Sequence, residues 1–249
     1  MSFTRYDSLN GRTVVITGGA SGIGAAFVRA FAENGARVAF LDLQQEAGAT
    51  LAAELDQMFV RCDLTDIAAL HAALGQIRGA LGPAAVLVNN AANDQRYDFA
   101  AMTPDEFDRT VAVNFRHVFF AAQAIAPQMR ELGFGSIVNM SSVSWMRGIP
   151  DLEAYASAKA AIVGFTNTLA RALGPARIRV NAIAPGMVLT ERQRRLWFQD
   201  EGQIEAGRAQ QCLPDLIGPE DIANLALFLA ADDSRLITKQ CISVNGGML

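Results

Sequence analysis

The chain has 249 residues, 51% of them hydrophobic, and sets 21 Lys and Arg against 25 Asp and Glu for a formal net charge of −4. That composition supplies a large core and excludes a disordered chain, a basic nucleic-acid binder and a polyacidic tail. The longest uncharged stretch, residues 13–28, is shorter than a membrane span and holds Gly18, Gly19, Gly22 and Gly24, so no membrane partner is expected. The first residues, Met1-Ser2-Phe3-Thr4-Arg5, are polar and charged with no apolar signal core. Three scattered cysteines and two histidines offer no disulfide framework and no metal site. A reduced cytoplasmic protein is the expectation.

In chain order, residues 12–17 carry the β-branched run Val14-Val15-Ile16, the look of a strand buried on both faces. Helical spacing of Ile23, Phe27, Ala30 and Phe31 predicts a helix over 22–34, stopped by Asn34-Gly35. A strand at 37–41, a helix at 44–55, a strand at 59–62 and a helix at 67–78 follow, then a strand at 85–88. A long helix is expected from Pro104 to about residue 130, capped by Thr103. Strands at 136–140, 178–183 and 241–244 and helices at 154–173 and 221–230 complete the pattern. Regular alternation predicts a single α/β domain over 1–249: a Rossmann-type, doubly wound parallel sheet of about seven strands with helices on both faces. Residues 187–219 lack clear periodicity and are expected to form a substrate lid.

The first strand runs into Thr17-Gly18-Gly19-Ala20-Ser21-Gly22-Ile23-Gly24 and then into a helix. Glycines there permit a tight turn and a close approach of backbone amides to a pyrophosphate, and the helix N-terminus favours the anion. Gly18, Ser21, Gly22 and Ile23 are therefore cofactor-binding candidates. Asp42 ends the second strand 24 residues after Gly18, where a carboxylate accepts both adenosine ribose hydroxyls and repels a 2′-phosphate. Its neighbours Leu41, Leu43 and Gln44 include no cation, so NAD is favoured over NADP. Asp63 and Leu64, after the third strand, are placed at the adenine, with a simple turn cap as the alternative for Asp63.

Only two lysines occur, and Lys159 lies four residues after Tyr155 on the same helical face. A phenol titrates near ~10, too high for a base at neutral pH, and a neighbouring ammonium favours the phenolate. Tyr155 is thus the expected acid/base and Lys159 its partner.

With these residues in hand, the chain resembles the short-chain dehydrogenase/reductase family over essentially its full length. The family pattern Thr-Gly-x-x-x-Gly-x-Gly lies at 17–24, Asn-Asn-Ala-Gly appears as Asn89-Asn90-Ala91-Ala92, and the family asparagine matches Asn114. The family serine falls at Ser142, thirteen residues before Tyr155, and Pro185-Gly186 is followed by Thr190. Ala92 replaces the final glycine of one motif and Asn245 the aspartate of the closing Asp-Gly-Gly. The resemblance implies a tetrad of Asn114, Ser142, Tyr155 and Lys159. It implies contacts of Asn90, Pro185, Gly186, Val188 and Thr190 with the cofactor, and a homotetramer paired through helices such as 154–173.

The stretches 90–96, 114–117, 142–145 and 210–213 are similar to those of bacterial NAD-dependent sugar 1-dehydrogenases, which oxidise aldoses such as D-xylose, L-arabinose or L-fucose to lactones. That implies Asn93 and Ser144 binding ring hydroxyls and Trp145 covering an apolar ring face. Dehydrogenases of sugar acids, polyols or 3-oxoacyl groups, and a nicotinamide-binding regulator without turnover, are the other readings. His117, one helical turn past Asn114, reads as structural.

Overall fold

Val14, Val15 and Ile16 are wholly buried because β1 (Thr13–Thr17) is an interior strand of a sheet covered on both faces. This is seen in a computed structural model that describes residues 3–249. β1 pairs in parallel with β2 (Arg37–Asp42) on one side and β4 (Val86–Asn89) on the other. β3 (Met58–Arg61) flanks β2, while β5 (Gly135–Met140), β6 (Ile178–Pro185) and β7 (Cys241–Val244) extend the sheet beyond β4. The order is β3-β2-β1-β4-β5-β6-β7, and every pairing is parallel. Strand order reverses between β1 and β4, which opens a crevice at the carboxyl ends of those strands.

The period-two alternation of strands sorts side chains between two layers. Val14, Ile16, Phe40 and Val138 pack with Phe27 and Phe31 of α1 (Gly22–Glu33) and Leu227 of α10 (Pro219–Ala230). Val15, Leu41, Leu87 and Ile137 face α3 (Ile67–Leu81), α5 (His117–Leu132) and α7 (Glu153–Leu173) on the other side. Phe27 and Phe31 have no exposed surface, so truncating either to alanine would cost about 3–5 kcal/mol. α2 (Gln45–Leu55) lies between β2 and β3 in the chain.

The long helix expected from Pro104 is broken in register. α4 (Pro104–Val111) starts with Thr103 and Glu106 capping each other, passes through a wider π-type turn over Ala112–Arg116, and resumes as α5. The Asn114 side-chain amide donates to the Thr110 carbonyl at 2.9 Å, replacing a backbone donor four residues on and allowing the turn to widen. Three short helices, α6 (Ser144–Arg147), α8 (Glu191–Leu196) and α9 (Glu201–Arg208), show no periodicity in the sequence because each spans about two turns or fewer. Side chains of Thr190 and Asp200 cap α8 and α9, so residues 187–219 are built rather than structureless. Among the described residues, no helix is long and apolar enough to cross a membrane.

Candidate active site

A cleft of about 670 Å³ opens over the carboxyl ends of β1, β4, β5 and β6. Its floor on the β1 side is the glycine loop. Gly18 has φ +67°, and a Cβ there would stand 2.7 Å from the Ala91 Cα. A Cβ on Gly24 would lie 1.8 Å from the Gly18 carbonyl oxygen, so only glycine lets α1 abut the loop. Ser21, the residue before α1, makes no side-chain cap, which leaves the helix N-terminal amides without a side-chain partner. An open cradle at a helix N-terminus fits a pyrophosphate. Gly22 and Ile23 line the same wall.

Asp42 closes the far end of this wall. One carboxylate oxygen accepts from the Ala20 amide at 3.0 Å and the other from the Gln44 amide at 3.0 Å. The Gln44 side chain bridges onward to the Ser21 hydroxyl at 3.0 Å. Leu43, Asp63 and Leu64 also line the cleft. Asp63 accepts from the Thr65 amide and hydroxyl, as the turn-cap reading expects, while still facing the cleft. Asn90 braces the loop: its side-chain amide donates to the Thr17 and Gly18 carbonyls at 3.1 and 2.8 Å.

Tyr155 and Ser142 meet in the cleft wall at the centre of the molecule. The adjacent serines Ser141 and Ser142 both line the cleft and differ in their partners. The Ser141 hydroxyl donates to the Lys159 carbonyl at 2.8 Å, whereas the Ser142 hydroxyl accepts from the Ser144 amide at 3.1 Å and favours ionisation of the Tyr155 phenol. Burial raises the Tyr155 pKa and the Asp94 charge adds to it, while Ser142 and Arg192 oppose. Lys159 stands 5.6 Å from the Tyr155 ring centre and donates to the Met140 carbonyl at 2.8 Å. Burial pushes the Lys159 ammonium down to about 7, and Asp94 partly restores it. Burial is the dominant influence on the phenol here, and Lys159 is not among the groups that lower it. Asn114 is fully buried behind the cleft and clamps the Asn93 backbone, accepting from its amide at 2.9 Å and donating to its carbonyl at 3.0 Å.

Pro185, Gly186, Val188 and Thr190 line the opposite lip. Gly186 lies so close to β7's end that a Cβ would sit 2.8 Å from the Asn245 Cα. The three residues expected at the substrate divide. Ser144 is buried, lines the cleft and has no hydrogen-bond partner for its hydroxyl oxygen. Trp145 does not line it: α6 turns this side chain outward, where it is 38% exposed. Asn93 does not line it either, because its side-chain oxygen is taken by Arg192 at 2.9 Å. Its neighbours Asp94 and Arg96 do face the cleft, joined there by Arg192, Gln193 and Trp197 from the segment after β6. Those three were not legible as site residues, since their partner lies about a hundred positions away in sequence.

A family model described as enoyl-(acyl carrier protein) reductase matches residues 18–249. The chain is 45% identical over 251 residues, 98% of each chain, to a protein named probable galactose dehydrogenase GalD of Rhizobium meliloti (strain 1021). It is 46% identical over 243 residues, 96% of each chain, to a D-xylose 1-dehydrogenase of Caulobacter vibrioides. Identity is 37% over 245 residues, 96% of this chain and 97% of the relative, to a 3alpha-hydroxysteroid dehydrogenase of Mediterraneibacter gnavus. With a nicotinamide-dinucleotide cradle, a Tyr155–Lys159 pair in its cleft and likeness of this extent, the chain belongs to the short-chain dehydrogenase/reductase family of nicotinamide-dependent oxidoreductases.

Proposed function

We propose that the protein oxidises the C1 hydroxyl of an aldose in its ring form, a pentose or 6-deoxyhexose, to a lactone with NAD. The observation that carries this reading is that Tyr155, Ser142 and Lys159 line one cleft, in a chain 45–46% identical to proteins named for galactose and D-xylose. In this account Tyr155 takes the C1 hydroxyl proton as C1–H breaks, and the electron pair left on oxygen closes the lactone carbonyl. Ser142 donates to the same oxygen and stabilises its developing charge. Bound nicotinamide supplies the acceptor for the C1 hydride. Lys159 holds the nicotinamide ribose, and its contact with polar hydroxyls offsets the desolvation that weakens its charge. Asn114 acts from behind by fixing the loop after β4 (residues 90–103). Ser144, with its unpartnered hydroxyl oxygen, binds a sugar hydroxyl.

Asp42, which lines the cleft with the uncharged Leu43 and Gln44 beside it, supports NAD over NADP, because a carboxylate there would accept ribose hydroxyls and repel a 2′-phosphate. Residues 187–219, with α8 and α9, form the lid of the single domain. The outer face of α5 and α7 exposes Phe119, stacked 5.3 Å from Phe165, which fits pairing of subunits in a homotetramer. Free thiols at Cys62, Cys212 and Cys241 fit a cytoplasmic setting.

The test is a panel of aldoses, sugar acids, polyols and acyl thioesters with NAD or NADH, read by nicotinamide absorbance and lactone detection. Lactone from an aldose is the expected product. Activity confined to open-chain ketones or thioesters would overturn the substrate reading.

A further inference from the structure

One carboxylate gathers three donors from a single short segment. Asp94 Oδ1 accepts from the Arg192 guanidinium at 2.9 Å, and Oδ2 accepts from the Gln193 amide at 2.6 Å and the Trp197 indole N–H at 3.2 Å. All three donors sit in or immediately after α8. The Arg96 guanidinium stacks 4.5 Å over the Trp197 ring, closing the same junction from the other side. Asp94 is itself held firmly, because the preceding residue, Asn93, is tied by two backbone hydrogen bonds to the buried Asn114 side chain. A continuous path therefore runs from Asn114 through the β4 loop to α8. At its other end α8 begins at Thr190, on the cleft lip, and Trp197 and Phe198 line the cleft.

We propose that Asp94 is a positioning residue: it clasps α8 over the reacting end of the cleft, and its ion pair with Arg192 sets the charge that Tyr155 faces. The charged groups around Tyr155 are Lys159 of its own helix, Asp94 of the β4 loop and Arg192 of α8, with the Ser142 hydroxyl at the end of β5 and neutral His117 behind Lys159. Asp94 opposes ionisation of the phenol and Arg192 favours it, so the docked lid brings the compensating charge with it. The inference rests on Tyr155 as acid/base, and its first readout does not.

That readout is limited trypsinolysis of the whole protein, following cleavage after Arg194 and Arg195 in α8. When closing is fast, cleavage tracks the open population. Losing charge-assisted bonds to Asp94 should raise the Asp94→Asn cleavage rate roughly tenfold. Gln193→Ala attacks the clasp from the lid side and leaves the β4 loop intact, with an expected rise of roughly threefold to tenfold. Glu205→Gln, in α9 and paired only with Arg208, should cleave like wild type. Wild-type cleavage in both Asp94→Asn and Gln193→Ala would overturn the clasp. The second readout is the pH profile of kcat/KM with NAD and the substrate that wild type turns over. Asp94→Asn should move the acidic limb to lower pH and Arg192→Gln should move it to higher pH. A purely structural role would shift both the same way or neither, and that result would overturn the charge coupling. Failure of Tyr155 as acid/base shows separately, as activity retained in Tyr155→Phe.

Discussion

His117 gives a pH dependence whose size follows from its surroundings. The ring is wholly buried where α5 begins, with Nε2 3.1 Å from the Ala91 carbonyl oxygen, and the Ala91 and Val113 carbonyls only partly offset its burial. Burial, with the Lys159 charge adding to it, pushes its pKa from 6.5 down to about 4. The folded protein therefore keeps the imidazole neutral at pH values where the unfolded chain has already bound a proton. Stability from this group is fully present above about 6.5 and falls as the pH drops towards about 4, where the folded state takes the proton too. At 1.36 kcal/mol for each tenfold change in proton affinity, the span from 6.5 to about 4 is worth about 3 kcal/mol. Urea melts of wild type and His117→Gln from pH 7.5 to 4 isolate this contribution, because other titrating groups are common to both. Wild type should lose about 3 kcal/mol more than the variant over that range. Parallel curves would refute the claim that His117 is buried neutral.

Tyr155→Phe should lower kcat by roughly 10³-fold while NADH binding is retained, since it removes the proton acceptor and leaves the glycine loop untouched; fluorescence titration and initial rates separate the two. Asp42→Ala combined with Leu43→Arg should shift the NAD-to-NADP preference by at least roughly tenfold, by removing the repelling carboxylate and adding a phosphate partner. Kinetics with both cofactors check it, and an unmodified enzyme already favouring NADP would sink the reading of Asp42. Sedimentation at micromolar concentration should give a tetramer, and a monomer would contradict the helix pairing.

The βα alternation was legible because buried parallel strands such as Val14-Val15-Ile16 are continuous apolar runs and α1 and α7 repeat over several turns. The glycine loop and Asp42 were legible because they are consecutive or follow one strand. Spacing to Tyr155 selects Ser142 over Ser141; both line the cleft, and the Ser141 hydroxyl is taken up by the Lys159 carbonyl. The lid side of the cleft was not legible. α8 is six residues long and too short for periodicity, and its contacts join Asp94, after β4, to Arg192 and Trp197, after β6. Trp145 does not line the cleft, and direction along a four-residue helix cannot be read from composition. The state of Lys159 depends on burial, which motif spacing does not report.

The central claim is that the hydrogen on C1 of an aldose leaves as hydride while Tyr155 takes the hydroxyl proton. It is tested most directly with an aldose deuterated at C1, NAD and the wild-type enzyme, with mass analysis of the reduced nicotinamide. The account predicts deuterium in the reduced cofactor together with an unlabelled lactone. Reduced cofactor without the label, or no reduction with any C1-deuterated aldose, would contradict it.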